Sequence, residues 1–362
     1  MNPWSTWHLC DECPCKQQHG HGSSTSDMVE QNCEVCDAQD WGTVTTIDVV
    51  VITYLRPEVL RTCLEALSRQ TVSPCHTIVV DSSPDERTRE VTRDFSLVDY
   101  MWNADGAGNM TNSRNVALRS VDADVIAFLD DDAFAHTRFV EELLISIENS
   151  HMDLGCARTL NEIPNEESIG RDEIGVMTDD GILYGHFAAD PGRNVEIRHG
   201  IGASMWFRRE VLADLGGFRE DFRGISGVRE DADAFFRAHA LGYRAVFVHK
   251  AVVTHVGAKQ ARGRRFDWRY QQWSQRNHMV LLANNLGVFS PISRRYVARS
   301  LKDIIQNRTS LHRCAAKILI NTLGIVRGCI AGLWRNGPRA RPPRRMDSEA
   351  EKLRLHLSAG NP

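Results

Sequence analysis

From Thr43 onward, nearly continuous apolar runs alternate with stretches in which apolar residues recur every three or four positions. That alternation predicts βαβ units and a parallel sheet covered by helices. Ile47-Asp48-Val49-Val50-Val51-Ile52-Thr53 is β-branched almost throughout, as a strand buried on both faces must be. Pro57 suits the first turn of a helix, and Val59, Leu60, Cys63, Leu64 and Leu67 give that helix one apolar face. A short strand at Ile78-Val79-Val80-Asp81 follows, then a charged helix from about Asp85 to Phe95 and a weak strand from Val98 to Trp102. A loop and helix from Gly106 to Arg119 lead to the strand Val125-Ile126-Ala127-Phe128-Leu129, which three aspartates close.

Beyond it, the pattern predicts a helix from Thr137 to about Ser150 and irregular chain from Asn161 to Arg198, long enough to be a binding loop. A hairpin or edge strand is expected at Ile201 to Phe207, helices at Arg209 to Leu215 and Glu230 to Leu241, and strands at Arg244 to Val248 and Val252 to His255. Two or three amphipathic helices are expected after Lys259, and a mobile Pro/Arg-rich then polar tail from about Gly337. The chain thus divides into a Cys/His-rich extension (1–42), an α/β catalytic body (43–258) and a basic helical region (259–362).

Composition sharpens this picture only locally. With 42% hydrophobic and 25% charged residues and a formal net charge of -4, the chain has a globular make-up that names no partner. No apolar stretch approaches the roughly 18 residues of a spanning helix, and no signal-peptide pattern opens the chain, so a cytoplasmic location is expected. Residues 291–345 depart from the average, with thirteen Lys/Arg against the single acid Asp303. Those basic helices could lie on an anionic membrane surface, at the inner face of the plasma membrane near a lipid-linked acceptor, or pack their apolar face on the body. The arginines alone do not indicate nucleic acid.

In an open parallel sheet, ligands bind at the carboxyl ends of the strands. Thr53, Asp81 and the triplet Asp130-Asp131-Asp132 all stand there. Three adjacent carboxylates repel one another unless a cation compensates, and oxygen ligands suit Mg²⁺ or Mn²⁺; the same triplet also fits a solvated turn. Glu230, Asp231 and Asp233 open a helix, where acids favour the macrodipole, and where Asp231 could serve as general base. His255 ends a Val-Val-Thr-His strand and is a further ligand candidate beside the triplet.

Taken in order, these segments resemble glycosyltransferase family 2. Val49-Val50-Val51-Ile52-Thr53-Tyr54-Leu55-Arg56-Pro57 resembles its opening strand and turn, and Ile78-Val79-Val80-Asp81-Ser82-Ser83 its second-strand motif. Gly106, Asn112, Arg114 and Asn115 resemble its glycine-then-Arg-Asn segment, and Ala127-Phe128-Leu129-Asp130-Asp131-Asp132 its DXD motif. Phe207-Arg208-Arg209, Gly216-Gly217-Phe218, Glu230-Asp231-Ala232-Asp233 and Val252-Val253-Thr254-His255 resemble its acceptor-side block. The resemblance implies a GT-A fold, that is, a Rossmann-like, mostly parallel sheet flanked by helices, here with a C-terminal helical extension. It also implies inverting transfer from a nucleotide-diphosphate-sugar to an acceptor hydroxyl on a glycan, lipid-linked or small-molecule acceptor, with Mn²⁺ or Mg²⁺. Carried over, Thr53 and Asp81 contact the base, with Arg56 in the same donor site. Arg114 takes the diphosphate, Asp131 the ribose and Asp132 the metal, with Asp130 beside them. Asp231 is the base, Glu230 its acceptor-side neighbour, and His255 a metal or phosphate contact. Two departures stand out: Ser82 follows Asp81 where a second acid is common, and Gly227-Val228-Arg229 replaces the glycine before the Glu-Asp pair.

Two rival readings bear on the same body. A sugar-phosphate nucleotidyltransferase would need a glycine-rich first loop, which residues 53–57 lack, and a degenerate binding protein would have lost Asp132 or Asp231, which are present. The pairs Cys10-x2-Cys13 and Cys33-x2-Cys36 have the spacing of a four-cysteine Zn²⁺ site, although Cys15, His19 and His21 crowd the segment.

Overall fold

The computed structural model describes residues 45–107, 109–150, 152–222, 228–257, 268–306, 311–336 and 352–358. The cysteine pairs of the proposed zinc site lie outside the described residues. Strand β1 (Ile47–Thr53) forms at the centre because its side chains are apolar on both faces. It pairs in parallel with β2 (Thr77–Asp81) and with β4 (Val125–Asp130), and β2 pairs in parallel with β3 (Val98–Trp102). The crossover helices are α1 (Pro57–Ser68), α2 (Arg87–Thr92) and α3 (Met110–Ala117). Pro57 begins α1, whose buried face is Leu60, Cys63, Leu64 and Leu67.

The sheet then leaves the simple parallel plan. After β4 come β5 (Ala133–Ala135), α4 (Phe139–Asn149) and β6 (Leu154–Leu160). The long segment expected to be irregular holds only the two-residue strands β7 (Val176–Met177), β8 (Leu183–Tyr184) and β9 (Val195–Glu196) and one 3₁₀ turn. Strand β10 (Met205–Arg208) is not at an edge: it runs antiparallel between β4 and β6, with Trp206 and Phe207 fully buried. Helices α5 (Arg209–Leu215) and α6 (Glu230–Ala240) precede β11 (Ala245–His255). The two strands expected there are one, bent by a bulge between Val248 and Val252, which accounts for the break in the apolar pattern. The order is β3-β2-β1-β4-β10-β6-β11-β5, with β9 beside β11, and parallel pairs make up most of the ladder.

The pleat sorts the core into two layers. Val50, Ile126 and Phe128 face one side, where Phe207, Phe218 and Phe235 pack edge to face. Val49, Val51, Ala127 and Leu129 face the other, against Leu60, Leu64, Phe139 and Leu143. Each such side chain contributes about 1.5–3 kcal/mol by leaving water. Helices α7 (Trp268–Leu286), α8 (Pro291–Gln306) and α9 (Leu311–Asn336) follow. Met279, Leu282, Tyr296 and Ile325 form their own small core. Within the stretch read as a mobile tail, residues 352–358 are helical, and Leu353 and Leu357 are buried in the main core. Among the described residues, no helix is long and apolar enough to cross a membrane.

Candidate active site

The carboxyl ends of β1 and β4 adjoin because the strands are paired through Ile52 and Asp130. Thr53 Oγ1 donates to Asp131 Oδ2 at 2.7 Å, and Arg56 Nε donates to the same oxygen at 3.1 Å. Arg56 also pairs with the other Asp131 oxygen, and its third nitrogen reaches Asp132 Oδ2 at 2.8 Å. Burial pushes the Asp131 carboxyl up to about 7, against the opposing pull of Arg56 and Thr53. Burial also raises Asp130, with Arg114 working against it and Asp132 adding to it. In Asp132 the burial effect is outweighed: the His255 hydrogen bond and Arg56 hold that carboxyl below its ordinary range.

His255 reaches the triplet through β5. The β11–β5 register places His255 opposite Ala133, directly after Asp132, and Val256 N–H donates to Asp132 O at 3.0 Å. His255 Nε2 then lies 3.3 Å from Asp132 Oδ1 and 4.0 Å from Asp130 Oδ2. One ligand atom from each of Asp130, Asp132 and His255 falls within 4.8 Å of the others, a spacing open to one cation. Two carboxylates and an imidazole are a donor set that suits Mn²⁺ or another first-row ion, and Mg²⁺ through the oxygens. The residues therefore fit the metal that the motif implies. Gly257 is part of the fit, since a Cβ there would come within 2.5 Å of Asp132 Oδ2.

Arg114, the residue the resemblance assigns to the diphosphate, has a side chain that is 1% exposed. It donates to Glu230 Oε1 at 3.1 Å, approaches Asp130 Oδ1 at 3.8 Å, and lies over the Phe218 ring. It thereby joins the triplet to the start of α6. Its Nε and one terminal nitrogen are buried without a hydrogen-bond partner. Both Asp131 oxygens are engaged within the protein, by Thr53 and Arg56. Glu230 is pushed up to about 8 by burial first and the charge of Asp231 second, with Arg114 opposing.

Asp231 is half-buried and held by backbone: Gly202 N–H donates to Oδ2 at 2.9 Å and Ala232 N–H to Oδ1 at 2.7 Å. Gly202 was not visible as a site residue in the sequence, because it lies 29 positions away in a turn with no motif of its own. Asp233 is structural, buried against Arg219 at 3.1 Å and Asn285 at 2.8 Å. Asp81, at the end of β2, accepts from Ser83 N–H at 2.8 Å and from the Tyr100 hydroxyl at 3.0 Å. The hydroxyl of Tyr100, an unflagged residue of the weak strand β3, is held up in pKa by burial and by that carboxylate. Asn115 clasps the Phe218 backbone, donating at 2.9 Å and accepting at 2.8 Å, so two of the quoted motifs bind each other.

Residues 48–216 match the family described as "Glycosyl transferase family 2". Among curated proteins, the chain is 28% identical over 225 residues to a validoxylamine A glucosyltransferase of Streptomyces hygroscopicus subsp. limoneus, covering 55% of this chain and 49% of that one. It is 25% identical over 214 residues to the O-antigen chain rhamnosyltransferase RfbN of Salmonella typhimurium, covering 58% and 66%. The chain spans about half the length of the first curated relatives it matches. Among solved structures, the mannosyltransferase PcManGT of Pyrobaculum calidifontis, in complex with GDP-Man and Mn²⁺, aligns at 18% identity with a TM-score of 0.48, over 80% of this chain and 86% of that one. S. aureus TarS 1-349 aligns at 16% identity with a TM-score of 0.49, over 82% and 93%.

Proposed function

We propose, from the match of residues 48–216 to glycosyltransferase family 2, that the chain transfers a sugar from a nucleotide-diphosphate-sugar to an acceptor hydroxyl, with inversion, in the synthesis of a glycan or glycoconjugate. The observation that carries the reading is the convergence of two clusters of acidic side chains on Arg114. Asp130, Asp132 and His255 sit on one side of Arg114, and Glu230 and Asp231 on the other.

In this reading the donor lies over the ends of β1, β2 and β4, with Asp81 and Thr53 near its base. Mn²⁺ or Mg²⁺ held by Asp130, Asp132 and His255 would supply neutralisation of the departing nucleoside diphosphate. Asp231, fixed by two backbone N–H groups, accepts the proton of the acceptor hydroxyl. The new bond forms between acceptor oxygen and anomeric carbon as the bond to phosphate breaks, and one in-line displacement inverts that carbon. Arg114 and Glu230 keep the two halves in register; neither needs to touch the donor. The place of action we read as the cytoplasmic face of a membrane, with a glycan or lipid-linked acceptor.

The test is a screen of UDP-, GDP- and dTDP-sugars for transfer or hydrolysis with Mn²⁺, Mg²⁺ and chelator. One donor should be used, with metal only. Asp132→Ala should abolish the metal effect, and Asp231→Asn should lower the rate by about 10²- to 10⁴-fold with donor binding kept. An Asp231→Asn enzyme of near-parental rate would remove the assignment of the base.

A further inference from the structure

Helix α9 presents an apolar stripe that is exposed among the described residues. Leu319, Leu323, Val326, Ile330 and Leu333 are 69%, 45%, 46%, 49% and 44% exposed, the spacing being four, three, four and three residues. At about 100° per residue they fall within an arc of about 80°, over about 21 Å of helix. The opposite side is fixed by close packing. Gly324, Gly328 and Gly332 lie on the far face, where a Cβ would meet Gln272 O at 2.7 Å, Met279 Cβ at 2.5 Å and Ala283 Cβ at 2.3 Å. Helix α9 therefore rests its glycines on α7 and cannot rotate the stripe inward without losing that contact. A row of five large apolar residues left in water is the kind of patch that marks an interaction surface.

Charge decides what covers it. Residues 268–336 carry eleven Lys/Arg and one acid, Asp303, in a chain whose net charge is -4. Helix α9 itself has Arg313, Lys317, Arg327 and Arg335 and no acid. Two copies joined through the stripe would bring two net-positive helices together, with no carboxylate on α9 to pair them. An anionic lipid surface offers acyl chain to the stripe and a negative surface to this net-positive helical region. We propose that α9 docks the protein on an anionic bilayer by seating Leu319, Leu323, Val326, Ile330 and Leu333 at the headgroup–acyl boundary. The helix lies in the membrane plane with its glycine face kept on α7.

Full-length protein is floated with phosphatidylcholine vesicles with and without phosphatidylserine, at low and high salt. The parent should float with the serine lipid at low salt and far less without it. Leu323→Glu/Ile330→Glu should lower the partition coefficient by about tenfold or more, since two buried aliphatic side chains are lost, while circular dichroism and melting temperature are unchanged. If the double variant fails to fold, Leu319→Glu at the most exposed position replaces it. Equal flotation of parent and variant overturns the proposal, as does no flotation of the parent. A lipid-free dimer in sedimentation velocity that the same substitutions dissociate also overturns it, assigning the stripe to a second copy. Flotation requires no sugar transfer, so its outcome stands whatever the donor screen returns.

Discussion

Arg56 occupies the place in the carboxylate triplet where a divalent cation would put its charge, and replacing it with glutamine measures that competition. Its guanidinium binds both oxygens of Asp131 and Asp132 Oδ2. Two unit charges at 2.8 Å attract by about 6 kcal/mol at an effective dielectric constant of about 20. The Arg56 side chain is 40% exposed, however, and solvent screening reduces the net value to about 2–3 kcal/mol. Asp131, which has no exposure of its own, would be left with Thr53 alone and its carboxyl driven further toward the protonated form, which adds to the loss. In urea unfolding with chelator present, Arg56→Gln should therefore be less stable by about 2–3 kcal/mol. Added Mn²⁺ should reverse part of this. In the parent both Asp132 oxygens are engaged, Oδ1 by His255 and Oδ2 by Arg56; the variant frees the second and removes a positive charge. About tenfold tighter Mn²⁺ binding then adds up to about 1.4 kcal/mol to the metal-induced stabilisation. A variant as stable as the parent in chelator, or one that Mn²⁺ stabilises no more than the parent, refutes the competition.

Two buried groups should shape the pH dependence of stability from opposite sides. His278 is pushed down to about 3 by burial first, with Arg229 reinforcing; one ring nitrogen is 2.8 Å from Gly181 O and the ring stacks on Tyr296 at 4.3 Å. Its folded pKa lies below the unfolded 6.5, so its contribution is complete above pH 6.5 and is lost as pH falls toward 3. Each unit of fall costs about 1.4 kcal/mol, and His278→Asn should flatten the acid limb of a stability–pH curve; parallel limbs for parent and variant would contradict this. Glu230 lies the other way, its folded pKa of about 8 standing above the unfolded 4.5, so its contribution is complete below 4.5 and lost as pH rises to 8. Glu230→Gln should gain stability relative to the parent near pH 8 and little near pH 5, by the same linkage; an equal difference at both pH values would show that the carboxyl is not neutral in the fold.

What the sequence disclosed and what it hid divide along a physical line. Strands β1, β2 and β4 were legible because burial on both faces leaves unbroken β-branched runs, and α1 because its apolar face has helical period. The carboxylates at the strand ends were legible for the same reason: a polar residue after such a run has left the core. Strands β5 and β9 were not, being two or three residues long, with pairing that depends on partners far along the chain. The central position of β10 was hidden because burial shows in a sequence while strand order does not. Partners were the least legible feature. Arg114 stood out in a motif, yet that it faces Glu230 depends on α3 and α6 meeting, a contact between positions 116 apart.

Arg229 shows how such a site is held by opposed charges as well as by packing. It is the residue before Glu230, where the family resemblance leads one to expect glycine, and its φ is +84°. A left-handed backbone costs a side-chain-bearing residue about 1–3 kcal/mol, so the conformation is imposed by its surroundings and not chosen by arginine. Its Nε is buried without a hydrogen-bond partner, a second cost. Two consequences accompany these. Burial first, and the Arg229 charge with it, lowers both His199 and His278, with Asp231 opposing at His199. The same turn also starts α6 with Glu230 and Asp231 at its positive end, where carboxylates are favoured. The left-handed turn is thus retained at the one point where the chain must bring Glu230 onto Arg114 and Asp231 onto the Gly202 N–H. Relaxing that turn to an ordinary backbone conformation would move both carboxylates, and the link between the Asp130, Asp132 and His255 cluster and Asp231 would go with them.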